Sequence, residues 1–334
     1  MDQISEEVRQ VYTKKWYVMI VLVITIVCMV SGCSLMKGPQ SKPEQNPPPT
    51  PQKQAIEGNE PNILVFMHET GEKKTMKMEE YVAGVVAGEM KNDWPVEALA
   101  VQAILARTFT LQAMDQKGGV PARGTQASTD IKEFQAYNAK AVNDNVKKAI
   151  EMTRGMVITH QGKPIQAWFH ASAGGITATA KEGLNYKEDE PVYIESVPSP
   201  DELAPADVQH WTVSFSKKEL MDVLKKMGKT VSGIDSIEIG KKGPSGRAIT
   251  LLINKNIEVS GPEIRVGLDS VKLKSMLLDK VEVSSDNVVF TGKGYGHGVG
   301  VSQWGANKLA TMGKKPEEII GQYFKDVTIE KRWN

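Results

Sequence analysis

Residues 78–114 read MEEYVAGVVAGEMKNDWPVEALAVQAILARTFTLQAM, and how they fold decides what kind of domain surrounds them. The pattern is helical, and Lys91-Asn92-Asp93-Trp94 breaks it into two helices, 78–90 and one opening at Pro95. Proline suits a first helical position because its φ is preset and its missing N–H would have no partner there, and Glu97 supports the same start. Near the end of the first helix one carboxylate, Glu89, follows seven uncharged residues none larger than valine. Placed in the last turn, that carboxylate meets the negative end of the backbone dipole, and its small apolar neighbours strip it of water. Both effects push a carboxyl pKa upward, as an acid that must hold its proton near neutral pH requires. The competing reading is an ordinary helix-end glutamate facing water. On the second helix Arg107 shares a face with Ala100 and Ala103, which allow close approach to the preceding helix. It is either a substrate-binding guanidinium or half of a structural ion pair with a surface acid.

Working outward, NILVFMHE (62–69) reads as a strand and NDNVKKAIEMT (143–153) as a short helix. GMVITHQGKPIQAWFHA reads as a hairpin turning at Gln161-Gly162-Lys163. Residues 211–290 form a unit of their own. Ser216 caps a helix, SIEIGKK and RAITLLIN flank a turn at 243–246, and NKNIEVSGPEIRVGL and VEVSSDNVVF add strand. The expected fold is α+β: a mixed main domain, 62–210 and 291–334, whose helical pair carries Glu89, with an inserted helix-plus-sheet subdomain at 211–290.

Residues 16–30, WYVMIVLVITIVCMV, are uncharged and follow Arg9, Lys14 and Lys15. They predict a membrane anchor over 16–35, with the leader 1–15 in the cytoplasm and the bulk of the chain outside. A cleaved signal lipidated at Cys33, suggested by VSGC, competes with an uncleaved anchor; the mixed-charge leader favours the anchor. Residues 36–61, rich in Pro, Gln and Lys, read as an extended linker that cannot bury enough surface to fold.

The 334 residues hold 41 Lys+Arg against 40 Asp+Glu, a net charge of +1, which gives no electrostatic support for a nucleic-acid partner. Only Cys28 and Cys33 occur, both in or beside the apolar run, and the five histidines show no ligand spacing, so no metal and no cofactor are expected. The loop HASAGG (170–175) offers His170 and Ser172 as a nucleophile–base pair only if they touch and a third group orients them. GKGYGHGVGVSQWG (292–305) packs six glycines among Tyr295, His297, Gln303 and Trp304. It is neither a P-loop nor a dinucleotide fingerprint. Its aromatic faces and amides suit a neutral, hydroxyl-rich ligand such as a sugar; a tight structural loop around a buried histidine is the alternative.

Three stretches together, EEYVAGVVAGEMKNDWPVEALAVQAILARTFT, AWFHASAGGITA and GKGYGHGVGVSQWGANKLATMG, resemble in order and spacing the stage II sporulation protein D family of membrane-anchored engulfment hydrolases. The resemblance covers about residues 60–334. It implies a peptidoglycan lytic transglycosylase that cleaves glycan strands stripped of stem peptides, with Glu89 as the single acid/base. It assigns Arg107, His170, Ser172, Tyr295, His297 and Gln303 to the substrate cleft. It implies as partners a sporulation amidase and a polytopic membrane protein that recruits both, at the sporulation septum. Some relatives suit zinc just before the position of Gln135, but STDIKEFQAY (128–137) has no Cys or His, so no structural zinc is expected here. The rival role is a non-catalytic glycan-binding module that stimulates an amidase.

Overall fold

The computed structural model describes residues 53–55 and 58–334. The expected leader, membrane span and most of the linker, with Cys28 and Cys33, lie outside the described residues. Among the described residues no helix is long and apolar enough to cross a membrane.

The chain opens with β1 (Lys53–Ala55), β2 (Asn62–Phe66) and β3 (Lys73–Lys77), then α1 (Met78–Glu89) and α2 (Val96–Lys117). After β4 (Ala127–Ser128) come α3 (Asp144–Met152), β5 (Met156–His160), β6 (Lys163–Pro164), β7 (Phe169–His170), α4 (Ala180–Leu184) and α5 (Ala206–Gln209). Next are β8 (Trp211–Ser216), α6 (Lys217–Lys226), β9 (Ile237–Ile239), β10 (Thr250–Ile253), β11 (Ile257–Ser260), α7 (Gly261–Leu268), β12 (Leu278–Val283) and β13 (Asn287–Gly292). The chain closes with β14 (Val301–Ser302), α8 (Gln303–Thr311), α9 (Pro316–Tyr323) and β15 (Thr328–Lys331). The fold is α+β with several small sheets: β1-β15-β5-β6, β3-β2-β4, β7-β14, β11-β10-β9 and β12-β13-β8.

Helix α2 is buried on every side from Ala98 through Ala106, and all but Gln102 of those residues are apolar, the pattern of a helix enclosed by its core. It runs through one core with residues of α1, α3, α8, α9, β2, β5 and β15 around it. A second core gathers residues from Trp211 to Phe290 alone, with α6 and α7 packed on the sheets of β9–β11 and β8, β12 and β13. Helix α6 starts as expected, Ser216 and Glu219 closing a reciprocal capping box.

Three expectations change. The linker's last residues belong to the fold: β1 pairs in parallel with β15, and Glu60 pairs with Arg154 and accepts the Glu79 N–H at 3.0 Å. Pro95 stands one place outside α2 as its N-cap residue. Finally, GPEIRVGL is helix α7 rather than strand, because Ser260 caps it from Glu263 N–H and Pro262 sits in its first turn.

Candidate functional site

The two glycines of α1 make room for a neighbouring segment. A Cβ on Gly84 would stand 2.2 Å from the Tyr137 ring, and one on Gly88 would stand 2.7 Å from Tyr137 N and 2.9 Å from Ala136 C. The segment 135–138 therefore crosses the helix in direct contact with its backbone, with Asn138 N–H bonding Gly84 O at 2.8 Å. That crossing stacks Tyr137 on Tyr81, centroids 5.8 Å apart, and delivers the Ala136 N–H to Glu89 Oε1 at 2.7 Å.

Glu89 is the last residue of α1, half-buried. Burial pushes its pKa up, and the Ala136 hydrogen bond pulls it only partly back. From the other side Gln303, the first residue of α8, donates Nε2–H to Glu89 O at 3.3 Å and to Gln102 Oε1 at 3.2 Å. Trp304 packs against Trp94 with ring centres 4.5 Å apart and planes inclined by 59°, and Lys91 Nζ lies 5.2 Å from the Trp304 ring centre. The sequence signal for Trp94 was its place in the break after Glu89; nothing marked Gln102 or the Ala136 N–H.

Arg107 does not join this group, which corrects its assignment to the substrate cleft. It is fully buried and grips Glu79, Nε to Oε1 at 3.1 Å and Nη2 to Oε2 at 2.6 Å, while Nη1 donates to Met156 O at 2.8 Å. Glu79 also accepts Gly155 N–H at 3.0 Å and Trp333 Nε1–H at 2.8 Å. The ion-pair alternative holds, and its acid is buried rather than at the surface.

The remaining residues form a second group. Ser172 and Tyr295 exchange backbone hydrogen bonds at 2.9 and 2.8 Å. The rings of His170 and His297 lie 5.6 Å apart. His170 donates Nδ1–H to Val299 O at 3.1 Å, and His297 Nδ1 accepts Val299 N–H at 3.1 Å. Burial, reinforced by nearby Arg247, pushes both histidines down, His297 to about 3, so both are neutral at pH 7. Ser172 donates its hydroxyl to Asp201 Oδ2 at 2.9 Å rather than to His170, so the two form no nucleophile–base pair.

Asp201, which no motif announced, is the hub. Its buried carboxylate also accepts Gly174 N–H at 2.7 Å, Ser199 Oγ–H at 2.7 Å and Ser302 Oγ–H at 2.8 Å. Ser302 caps α8, so Asp201 joins the 172–174 loop to the helix start that holds Gln303 against Glu89. Trp304 N–H bonds Ala171 O at 3.0 Å, closing the same junction. A cavity of about 220 Å³ opens beside Ser172, Gly175, Asp201, His210 and Lys293; neither Glu89 nor Gln303 lines it. Among the described residues no cluster of three His, Cys, Asp or Glu side chains converges as a metal site would require.

The chain is 31% identical to the Stage II sporulation protein D of Bacillus amyloliquefaciens, over 81% of this chain and 79% of the relative. It is 30% identical to that of Bacillus subtilis (strain 168), with the same coverage. The chain belongs to the stage II sporulation protein D family. The family description Stage II sporulation protein matches residues 67–160, which hold Glu89, Arg107 and the 135–138 crossing. A domain of unknown function, DUF8618, matches residues 201–300, from Asp201 through the second core to the glycine loop. The family likeness extends to the Amidase enhancer of Bacillus subtilis (strain 168), 26% identical over 74% of this chain and 40% of that protein.

Proposed function

We propose that this member of the family is a peptidoglycan lytic transglycosylase acting on glycan strands stripped of stem peptides, in septal wall thinning and engulfment during sporulation. The observation that carries the reading is Glu89: a half-buried carboxyl at a helix end, raised by desolvation and paired with no cation among the described residues. Such a group is protonated at a higher pH than a hydrated carboxyl and can give its proton to a glycosidic oxygen. The C1–O bond then breaks, and the new carboxylate takes the proton of the muramic acid 6-hydroxyl as O6 bonds to C1. A 1,6-anhydro ring forms, no water is consumed, and no second carboxylate is required, in contrast to the two-acid glycosidases. Gln303 and Gln102 brace the helix end, and Trp94 and Trp304 offer ring faces for sugars beside it. In this reading half-buried Tyr295 and His297 stay available to substrate, while buried His170 and Ser172 act only by holding the glycine loops in shape.

In this reading residues 16–35 anchor the chain with its N-terminus in the cytoplasm, and 36–52 space the folded part from the membrane. The segment 211–290 is an inserted subdomain. A sporulation amidase prepares the substrate and a polytopic membrane protein recruits both. Glu89→Gln tests the chemistry: release of anhydro-muramic ends from peptide-free strands is expected to fall about 10²–10⁴-fold. Undiminished release by that variant rules out Glu89 as the acid. Likeness to an amidase enhancer favours a second reading, a glycan-binding module without turnover. It gains if the unmodified chain never releases anhydro ends yet accelerates an amidase.

A further inference from the structure

Lys91 holds an unusual position for an exposed lysine. It stands two residues beyond Glu89, so their Cα atoms are at most about 7 Å apart. Its ammonium lies over the half-buried Trp304 ring at 5.2 Å, and Trp304 in turn meets Trp94. No carboxylate among the described residues pairs with it. An aromatic face holds a cation in place without neutralising it, so the charge stays available to a ligand.

Indole surface beside an acid suits a sugar ring, and a cation held over one of those indoles suits an anion on the same ligand. In peptidoglycan the stem peptide is joined to muramic acid by an amide at the lactyl group. Hydrolysis of that amide leaves a carboxylate, so stripped strands carry one negative charge per muramic residue where peptide-bearing strands carry a neutral, bulky amide. We propose that Lys91, steered by Trp304 and Trp94, receives this lactyl carboxylate and so selects stripped over peptide-bearing strands. The inference rests on the glycan reading above for its ligand, and not on Glu89 doing the chemistry.

The test uses the full chain in detergent carrying Glu89→Gln, followed by tryptophan fluorescence. Its ligands are peptide-free glycan oligosaccharides with free lactyl carboxylates and the same oligosaccharides with those groups converted to methylamides. The carboxylate form is expected to bind about 3–10-fold more tightly, with a preference that shrinks as salt is added. Adding Lys91→Ala is expected to abolish the preference, and Lys91→Arg to restore it. Equal binding of the two ligands, failure to bind either, or an intact preference in Lys91→Ala overturns the proposal. Cleavage by the Glu89→Gln chain alongside an intact preference sinks the catalytic reading alone. An inert Glu89→Gln chain without preference sinks the Lys91 proposal alone.

Discussion

At the scale of single residues, Glu89 and Arg107 each carried two readings that only packing separates. The small-residue run before Glu89 suggested a desolvated carboxyl and left a water-facing one open; the packing of 135–138 against the helix decides for the first. The raised carboxyl has a sign for stability as well. The folded chain holds the Glu89 proton more tightly than the unfolded chain, so its contribution is full at low pH and is lost as pH rises through the raised folded value. Glu89→Gln keeps the acceptor for Ala136 N–H and removes the charge. Its unfolding free energy is expected to exceed the parent's by about 0.5–2 kcal/mol at pH 7 and to match it near pH 3, measured by urea melts. Arg107 was ambiguous because its partner, Glu79, sits 28 positions back on the other helix and only the packing brings them together. Arg107→Ala strands Glu79 without its cation in the core and is expected to cost about 3–5 kcal/mol, again by urea melts.

At the scale of elements, the helix pair, the helix at 144–152, the hairpin after Met156 and the capped helix at 217–226 were all legible, since periodicity and caps are local signals. Helix α7 was not. Alternation in IEV carried into a reading of strand, while Ser260, Pro262 and Glu263 were the start signals that govern it. The Asp201 hub was illegible for a different reason: its donors come from residues 172, 174, 199 and 302, and no linear motif spans them. The crossing of 135–138 over α1 yields a prediction of its own. Gly88→Ala adds a carbon within 3 Å of that segment's backbone, which outweighs the helix preference of alanine. A net loss of about 1–3 kcal/mol is expected. By lifting Ala136 N–H from Glu89 it should also move the carboxyl pKa further up, as carbon-detected NMR titration would read.

At the scale of the whole molecule, the two cores meet through Arg247, which is fully buried. Its Nη1 donates to Ile176 O at 2.8 Å and Nη2 to Ala173 O at 2.7 Å, beside the loop that holds Ser172. The same turn gives Ser245 Oγ–H to buried Glu182 at 2.6 Å and Arg247 N–H at 3.1 Å. One turn of the 211–290 segment thus sets the shape of the glycine loops. Arg247→Ala orphans two carbonyls and is expected to cost about 3 kcal/mol, splitting a single calorimetric transition into two. A single sharp transition in that variant would mean the cores are coupled elsewhere.

The indole of Trp333 on Glu79 has a consequence for how the chain is made. Glu79 and Arg107 leave the ribosome more than two hundred residues before the group that completes their cage. A nascent chain lacking Thr328–Lys331 also lacks the strand that lies between β1 and β5. Vectorial synthesis therefore cannot seal the core around Glu79 before Trp333 and the β15 strand have emerged.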